Sequence, residues 1–254
     1  MIIAFLALAL LTFSPQSVET AFNGNKGALV VLGASGEKVF LYNPKGCEEL
    51  LPPCSTFKIW NSAIGLEEGI VSDPDAAFWK WDGEKRWLAA WNKDQTMRSA
   101  FAASCVPAYQ ALARKTGAER MAKYLHKISY GNENISSGID VFWLPAPDRK
   151  PLLISPMHQA KLIAQLVNRQ MPFSPHTFAV LKDVMKARQT ERGILYGKTG
   201  TGEIELGVNI CWYVGYVESA GKAYPFACVL KGKGITGLDT RTAVEKIFTQ
   251  AGLL

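Results

Sequence analysis

Histidine is scarce in this chain, with only His126, His158 and His176 among its 254 residues. The sequence has no Cys-x-x-Cys pair and no cysteine–histidine cluster with zinc-ligand spacing, so we expect no metal site. It also lacks Gly-x-Ser-x-Gly, the turn that carries the nucleophile of many Ser-His-Asp hydrolases. These absences argue against a zinc enzyme and against a serine hydrolase that depends on histidine.

Runs of lysine and arginine, and basic residues interleaved with aromatic ones, are also missing. The formal net charge is +6 and the pI is near 9.0, which indicates a mildly basic surface rather than a nucleic-acid-binding site. Apolar residues make up 48% and charged residues 20%, as in an ordinary globular protein. The length suits one large domain or two closely packed subdomains.

Only one unbroken apolar run stands out, at residues 2–11. It is shorter than the roughly 20 apolar residues of a stable membrane span. We interpret residues 1–21 as a secretory signal peptide with an undefined cleavage site, and expect a secreted, periplasmic protein. The alternative is a buried N-terminal helix, because no lysine or arginine precedes Lys26.

Cysteine is present five times, so at least one thiol is unpaired if the others form disulfides. In an oxidising compartment, Cys47 and Cys54 are the disulfide candidate, because they flank the short segment that contains Pro52 and Pro53. Two free thiols are the alternative, and the sequence leaves both open.

Hydrophobic periodicity divides the chain into three parts. Strand patterns occur at 27–32 and 38–42 and again after Glu191, whereas residues 73–185 are mostly of helical pattern, and a closing helix is predicted at 242–251. We predict an α/β fold with one sheet lobe, about 22–70 and 190–254, and one helical lobe, about 71–189. A ligand is expected in the crevice between them.

The pattern Ser-x-x-Lys occurs more than once. In Ser55-Thr56-Phe57-Lys58 it opens a helical pattern, which places the amine on the same face as the hydroxyl. In Ser35-Gly36-Glu37-Lys38 it falls in a predicted hairpin turn, where the two side chains diverge. The context selects Ser55 as a nucleophile that is activated without histidine.

The pattern Lys-Thr-Gly also occurs twice. Lys198-Thr199-Gly200 follows a predicted strand, as it does in serine enzymes of the penicillin-binding type. Lys115-Thr116-Gly117 lies in a helical stretch that it is expected to end. Ser104-Cys105-Val106 lies between the two selected motifs, and this position supports a role in the same site.

These motifs, together with Tyr130-Gly131-Asn132 and Phe142-Trp143-Leu144, follow the order of the class D (oxacillinase-type) serine β-lactamases, which the chain resembles from about residue 28 to its C-terminus. The resemblance implies the penicillin-recognising serine β-lactamase/transpeptidase fold, an antiparallel sheet flanked by helices plus a helical lobe. It implies hydrolysis of a small-molecule β-lactam, without a cofactor except CO2 or bicarbonate. It leaves monomer and homodimer open.

The resemblance also implies catalytic roles. Ser55 attacks the lactam carbonyl, and Lys58, modified by CO2 to N6-carboxylysine, acts as the general base. The Trp143 indole N–H holds the carbamate. Ser104 and Lys198 relay a proton to the leaving nitrogen.

Substrate binding is assigned by the same resemblance to Val106, Thr199, Gly200, Thr201 and Arg241. The backbone N–H groups of Ser55 and Thr201 form an oxyanion hole, and Arg241 with Thr199 binds the substrate carboxylate. Two features depart from the family: Thr201 replaces an aromatic residue, and the loop 145–151 is longer than usual. Arg241 as a surface ion-pair partner is the structural alternative.

Three rival functions are weighed. A metallo-β-lactamase needs clustered histidines, which are absent. A D,D-peptidase shares Ser-x-x-Lys and Lys-Thr-Gly but is not expected to surround its lysine with Val106 and Trp143. A β-lactam sensor is acylated without turnover and signals through membrane helices; the sequence predicts no stable span of that kind.

Overall fold

A computed structural model describes residues 12–254. The predicted leader core at 2–11 lies outside the described residues and stays a prediction. Within 12–254, no helix is long and apolar enough to cross a bilayer.

The main sheet has six antiparallel strands in the order β2-β1-β8-β7-β6-β5. Their bounds are Lys26–Leu32 (β1), Lys38–Tyr42 (β2), Lys186–Gln189 (β5), Gly193–Glu205 (β6), Val208–Ser219 (β7) and Lys222–Gly232 (β8). A separate hairpin joins Ala77–Trp79 (β3) to Gln95–Thr96 (β4). Strands from both ends of the chain therefore share one sheet, as predicted.

Helices cover both faces of this sheet. They are Pro15–Phe22 (α1), Pro44–Cys47 (α2), Lys58–Glu67 (α3), Met97–Ala102 (α4), Val106–Thr116 (α5), Ala118–Lys127 (α6), Pro156–Val167 (α7), Pro175–Met185 (α8) and Gly237–Gln250 (α9). Because helices pack on both sides, β7 is buried along most of its length rather than alternating between buried and exposed. The predicted antiparallel sheet with flanking helices and a helical lobe is confirmed.

Three helices begin with the same dipeptide, serine followed by proline. The hydroxyls of Ser14, Ser155 and Ser174 each accept a hydrogen bond from an amide in the first helical turn, at 3.1, 3.2 and 3.3 Å. The following proline has no N–H to leave unpaired, and its fixed φ suits the first helical position. The sequence thus sets where α1, α7 and α8 start.

Helix α1 packs against the sheet and against α9. Its Val18 and Phe22 are buried in the cluster beneath the sheet, and Phe13 packs edge-on against Phe248 of α9 with ring centroids 5.9 Å apart. Most of α1 lies before residue 22, the predicted start of the domain, and that boundary stays a prediction.

The middle of the chain is less helical than predicted. Besides the β3–β4 hairpin, residues 128–155 form turns and irregular segments, and β5 joins the main sheet although 186–189 was assigned to the helical lobe. The closing helix begins at Gly237 rather than at residue 242. A capping box accounts for this. The Thr236 amide and hydroxyl both donate to the Asp239 carboxylate, at 2.7 and 3.0 Å, and the Asp239 amide donates to the Thr236 carbonyl at 3.1 Å.

Candidate active site

The segment that carries Ser55 is anchored on both sides. The Trp212 indole N–H donates to the Pro52 carbonyl at 2.9 Å, and the Thr56 hydroxyl donates to the Pro53 carbonyl at 2.6 Å. Cys54 has φ of +50°, a left-handed conformation that costs about 1–3 kcal/mol in a non-glycine residue. Such strain is retained where the surrounding structure fixes a functional geometry.

Ser55 lies in a short 3-10 turn, Cys54–Phe57, that leads into α3. The Ser55 hydroxyl lies 2.8 Å from the Lys58 Nζ. Only 8% of Ser55 is exposed, so the nucleophile lies at the bottom of its site.

Lys58 is completely buried. Burial, and then the positive charge of Lys198, lower the pKa of its amine well below the usual range. The Tyr109 ring centroid lies 5.4 Å from its Nζ, and α3 and α5 pack together around it. A neutral amine next to the Ser55 hydroxyl can accept a proton, so this pair can generate a nucleophile.

Strand β6 places the Lys-Thr-Gly motif close to the backbone of the turn that carries Ser55. A Cβ added at Gly200 would lie 3.1 Å from the Pro53 carbonyl oxygen and 3.2 Å from the Ser55 nitrogen. Glycine is therefore required sterically where the strand passes the turn. The predicted strand context of Lys198-Thr199-Gly200 is present.

Lys198 is the second buried lysine, with 4% exposure. Burial, and then the nearby Arg241 cation, lower its pKa to about 7. Its Nζ donates to the carbonyl and hydroxyl oxygens of Thr199 at 3.1 and 3.2 Å. A lysine with this pKa exchanges protons readily near neutral pH.

Ser104 occupies the turn between α4 and α5 with φ of +52°. The Cys105 amide bonds the Ala100 carbonyl at 2.8 Å, and the Trp91 indole donates to the Ala103 carbonyl at 2.9 Å. The turn leads into α5, which packs against the helix that carries Lys58. Val106, the first residue of α5, is half-buried.

A cavity of about 280 Å³ adjoins Lys198 and Thr199 of the Lys-Thr-Gly motif. Its lining includes Phe101, Lys198, Thr199, Tyr213, Leu238 and Arg241. Helix α9 brings Arg241 here because its N-terminus packs against β6: a Cβ at Gly237 would lie 2.8 Å from the Gly200 carbonyl oxygen. The structure thus groups Lys198, Thr199 and Arg241 around one space, with a positive charge suited to an anion.

Trp143 is also fully buried, stacked on Phe57 with ring centroids 5.7 Å apart. Its indole nitrogen has no hydrogen-bond partner among residues 12–254. A buried donor without an acceptor costs about 1–3 kcal/mol, so a plain core role leaves this nitrogen unexplained.

Comparisons with known proteins agree with this geometry. A family model described as the penicillin binding protein transpeptidase domain matches residues 18–251. The probable β-lactamase YbxI of Bacillus subtilis is 36% identical over 88% of this chain and 81% of its own length, and β-lactamase OXA-48 of Klebsiella pneumoniae is 35% identical over 87% and 82%. The class D β-lactamase YbXI from Nostoc has a TM-score of 0.87 and 33% identity, over 96% of this chain and 100% of its own.

The chain belongs to the class D β-lactamases. A receptor shares the fold: the C-terminal domain of the Bacillus licheniformis BlaR penicillin-receptor has a TM-score of 0.87 and 28% identity, over 93% of this chain and 95% of that domain.

The duplicated motifs separate in the way that was predicted for a class D β-lactamase. Ser35 and Lys38 are exposed in the β1–β2 hairpin, and the Ser35 hydroxyl bonds Glu37 instead of the lysine. Lys115-Thr116-Gly117 ends α5, with Gly117 at φ of +80°. Tyr130-Gly131-Asn132 is a turn, where the Asn132 side chain accepts the Leu153 amide at 2.9 Å.

Both departures from the family have a structural counterpart. The Thr201 hydroxyl accepts the Gly237 amide at 2.7 Å and so ties β6 to the start of α9. The loop 145–151 is closed by a bond from the Leu152 amide to the Phe142 carbonyl at 2.7 Å, and Arg149 donates to the Leu144 carbonyl at 2.9 Å. The longer loop is therefore fastened directly after Trp143.

Cys47 and Cys54 are free thiols in the structure. All five cysteines are free and buried. The Cys47 thiol contacts the Leu29 and Tyr42 carbonyls at 3.6 and 3.3 Å, whereas the Cys54 thiol contacts the Pro52 carbonyl at 3.6 Å. The disulfide candidate is thus not formed, and the proline segment is stiffened by the Trp212 bond instead.

Residues 12–254 contain no group of three or more histidine, cysteine, aspartate or glutamate side chains placed to hold a metal. One residue of the site was missed by the sequence reasoning: Glu245, whose carboxylate bonds Arg241 at 2.7 Å. Its signal is the i to i+4 spacing from Arg241 on a helix.

Proposed function

We propose that this protein hydrolyses the β-lactam ring of penicillin-like antibiotics through a Ser55 acyl-enzyme. The observation that carries the proposal is the 2.8 Å contact between the Ser55 hydroxyl and a fully buried Lys58 amine. In acylation, the Ser55 oxygen bonds to the lactam carbonyl carbon, the ring C–N bond breaks, and the serine proton passes through the base to the nitrogen. In deacylation, a water oxygen bonds to the acyl carbon and the bond from that carbon to the Ser55 oxygen breaks. The proton that the water loses passes through the base to the Ser55 oxygen.

Lys58 is proposed to work as the N6-carboxylated residue. Only a neutral amine attacks CO2, and the burial that lowers the pKa of Lys58 supplies one. The residues present fit the group, because Trp143 offers a buried indole N–H without an acceptor. When present, the carbamate supplies a carboxylate-like base; Trp143 orients it, and the apolar surroundings of Phe57 exclude water.

Proton delivery to the leaving nitrogen is assigned to Ser104 and Lys198. The pKa of Lys198, about 7, suits a group that both gives and takes a proton near neutral pH. The strained turn at Ser104 is supported by fixed backbone bonds, as expected of a hydroxyl that must be held in place.

Substrate binding is assigned to the β6 side of the site. The backbone N–H groups of Ser55 and Thr201 would stabilise the oxyanion, while Gly200 allows strand and nucleophile to approach. Arg241 and Thr199, which line the same cavity, would bind the substrate carboxylate. Val106, at the start of α5, would line the opposite wall.

The test is a turnover assay of the purified protein with a chromogenic cephalosporin, with and without bicarbonate. Sustained colour that bicarbonate enhances is expected. Colour that never appears would contradict the proposal, and turnover that is indifferent to added or depleted CO2 would remove the carbamate from it.

A penicillin receptor is the second candidate function, because the BlaR receptor domain has the same fold at a TM-score of 0.87. The same assay separates the two. A receptor gives one equivalent of colour and then stops, whereas the enzyme continues.

The protein is further proposed to be secreted to the periplasm and to confer β-lactam resistance. The apolar sequence 2–11 supports secretion, and the packing of Val18 and Phe22 supports a cleavage site before α1. N-terminal sequencing of the exported protein tests this. A mature chain that starts after residue 22 would contradict it.

A further inference from the structure

Helix α9 carries two charged residues one turn apart, Arg241 and Glu245. The Arg241 Nε donates to Glu245 Oε1 at 2.7 Å, and the Nη1 of Arg188, on β5, donates to Glu245 Oε2 at 2.8 Å. One carboxylate therefore joins two arginines from different elements. Its side chain is 20% exposed, less than either arginine at 33% and 42%.

The Arg241 guanidinium is held at a second point. Its Nη2 donates to the Ala187 carbonyl at 3.1 Å, again on β5. Its Nη1 makes no hydrogen bond to any of residues 12–254. Two edges of the planar group are thus occupied by protein, which leaves donors for a ligand in the cavity shared with Lys198 and Thr199.

Two arginines share one carboxylate at this corner of the site. Arg241 and Arg188 repel each other, and Glu245 is bonded to both. Without it, the Arg241 side chain would lose one of its two anchors and gain rotamer freedom, which substrate binding would have to remove again.

We propose that Glu245 is a positioning residue that fixes Arg241 for the substrate carboxylate. This inference rests on the proposed β-lactam hydrolysis. It differs from a purely stabilising surface ion pair in one respect: its removal must penalise only substrates that carry the carboxylate.

The test compares wild type with Glu245→Gln on a penicillin and on the methyl ester of the same penicillin. Glutamine keeps the shape but loses the charge-assisted bonds. For the acid, KM is expected to rise about tenfold while kcat stays within about twofold, the pattern of lost uniform binding. For the ester, both parameters are expected to stay within about twofold of wild type.

Matched controls separate charge from position. Glu218→Gln removes a similar ion pair, since Glu218 accepts Lys182 at 2.6 and 2.9 Å without touching the site residues, and should leave both substrates unchanged. In an Arg241→Ala background, Glu245→Gln should add no further penalty, because the two residues act as a unit. Glu245→Asp keeps the charge on a shorter stem and should give a smaller, acid-only increase; it serves as the test if the glutamine variant does not fold.

The outcomes are distinct. No turnover by the wild type would refute the proposed function itself. A wild type that prefers the acid, with an unchanged KM in the folded Glu245 variants, would overturn the positioning role. Equal penalties on acid and ester would also overturn it, because they indicate a general structural defect.

Discussion

Two of the Ser-x-x-Lys segments in the chain, at 55–58 and 35–38, differ in almost every physical property. Ser55 and Lys58 are buried, on consecutive turns of one helical segment, with hydroxyl and amine 2.8 Å apart. Ser35 and Lys38 are exposed in a hairpin, and Ser35 bonds Glu37. The residue pattern alone therefore does not make a nucleophile; burial and helical spacing are what bring hydroxyl and amine together.

Removing the two serines should separate the copies most sharply. Ser55→Ala is expected to lower kcat by about 10⁴-fold or more, because the acyl-enzyme cannot form. Ser35→Ala should remain within about twofold. Steady-state assays with a chromogenic cephalosporin check both. A large loss of kcat in the Ser35 variant would contradict the assignment of Ser55 as the nucleophile.

The two lysines should differ in stability as well as activity. Lys58→Met is expected to lower kcat by about 10³-fold and to stabilise the fold by about 1–3 kcal/mol, because it removes an amine whose charged form is desolvated. Lys38→Met, on the surface, should change stability by less than about 0.5 kcal/mol.

The pH dependence gives the sign of this effect. The pKa of Lys58 is lowered in the folded protein, whereas the unfolded amine titrates near 10.5. Below pH 10.5 the unfolded chain binds the extra proton, so wild type loses stability as pH falls, by up to about 1.4 kcal/mol per unit. Thermal melts in CO2-depleted buffer should show the gap to Lys58→Met widening from pH 10 to 7. A constant gap would contradict this.

Left-handed backbone conformations sharpen the same contrast. In the hairpin the positive φ falls on Gly36, whereas in the site it falls on Cys54 and Ser104, which are not glycines. Ser104→Ala and Ser104→Gly should both lower kcat by about 10²–10⁴-fold. The glycine variant should be more stable than the alanine variant by about 1 kcal/mol, because glycine adopts this φ without strain. Equal stabilities in denaturant melts would argue against strain at this turn.

The smallest expected effect concerns the duplicated Lys-Thr-Gly. Thr199→Val should raise KM for a carboxylate-bearing substrate about fivefold through one lost hydrogen bond. Thr116, which donates to Leu112 at 3.1 Å inside α5, should affect only stability when changed to valine, by about 1 kcal/mol. An effect of Thr116→Val on KM would undermine the assignment of Lys198-Thr199-Gly200 as the functional copy.

Much of this was predictable because motif order and local context are sequence properties. The helical spacing of Ser55 and Lys58, the strand context of Lys198 and the sheet built from both chain ends follow from periodicity. The start of α9 was also encoded, in the Thr236 and Asp239 capping box, but periodicity alone placed it five residues late.

The remainder depends on tertiary contacts that no local pattern specifies. The Trp212 bond to Pro52, which anchors the segment between Cys47 and Cys54, spans 160 residues. The packing of Val18 against α9 joins the two ends of the chain. The Arg188 partner of Glu245 comes from β5, which the helical pattern concealed.

The most direct test of the account is time-resolved mass spectrometry of the protein mixed with excess penicillin. The account predicts a mass increase of one substrate, located on the peptide that contains Ser55, which disappears when the substrate is exhausted. An adduct that persists would make the protein a penicillin trap, and an adduct on any other residue, Ser35 included, would contradict the assignment of the nucleophile.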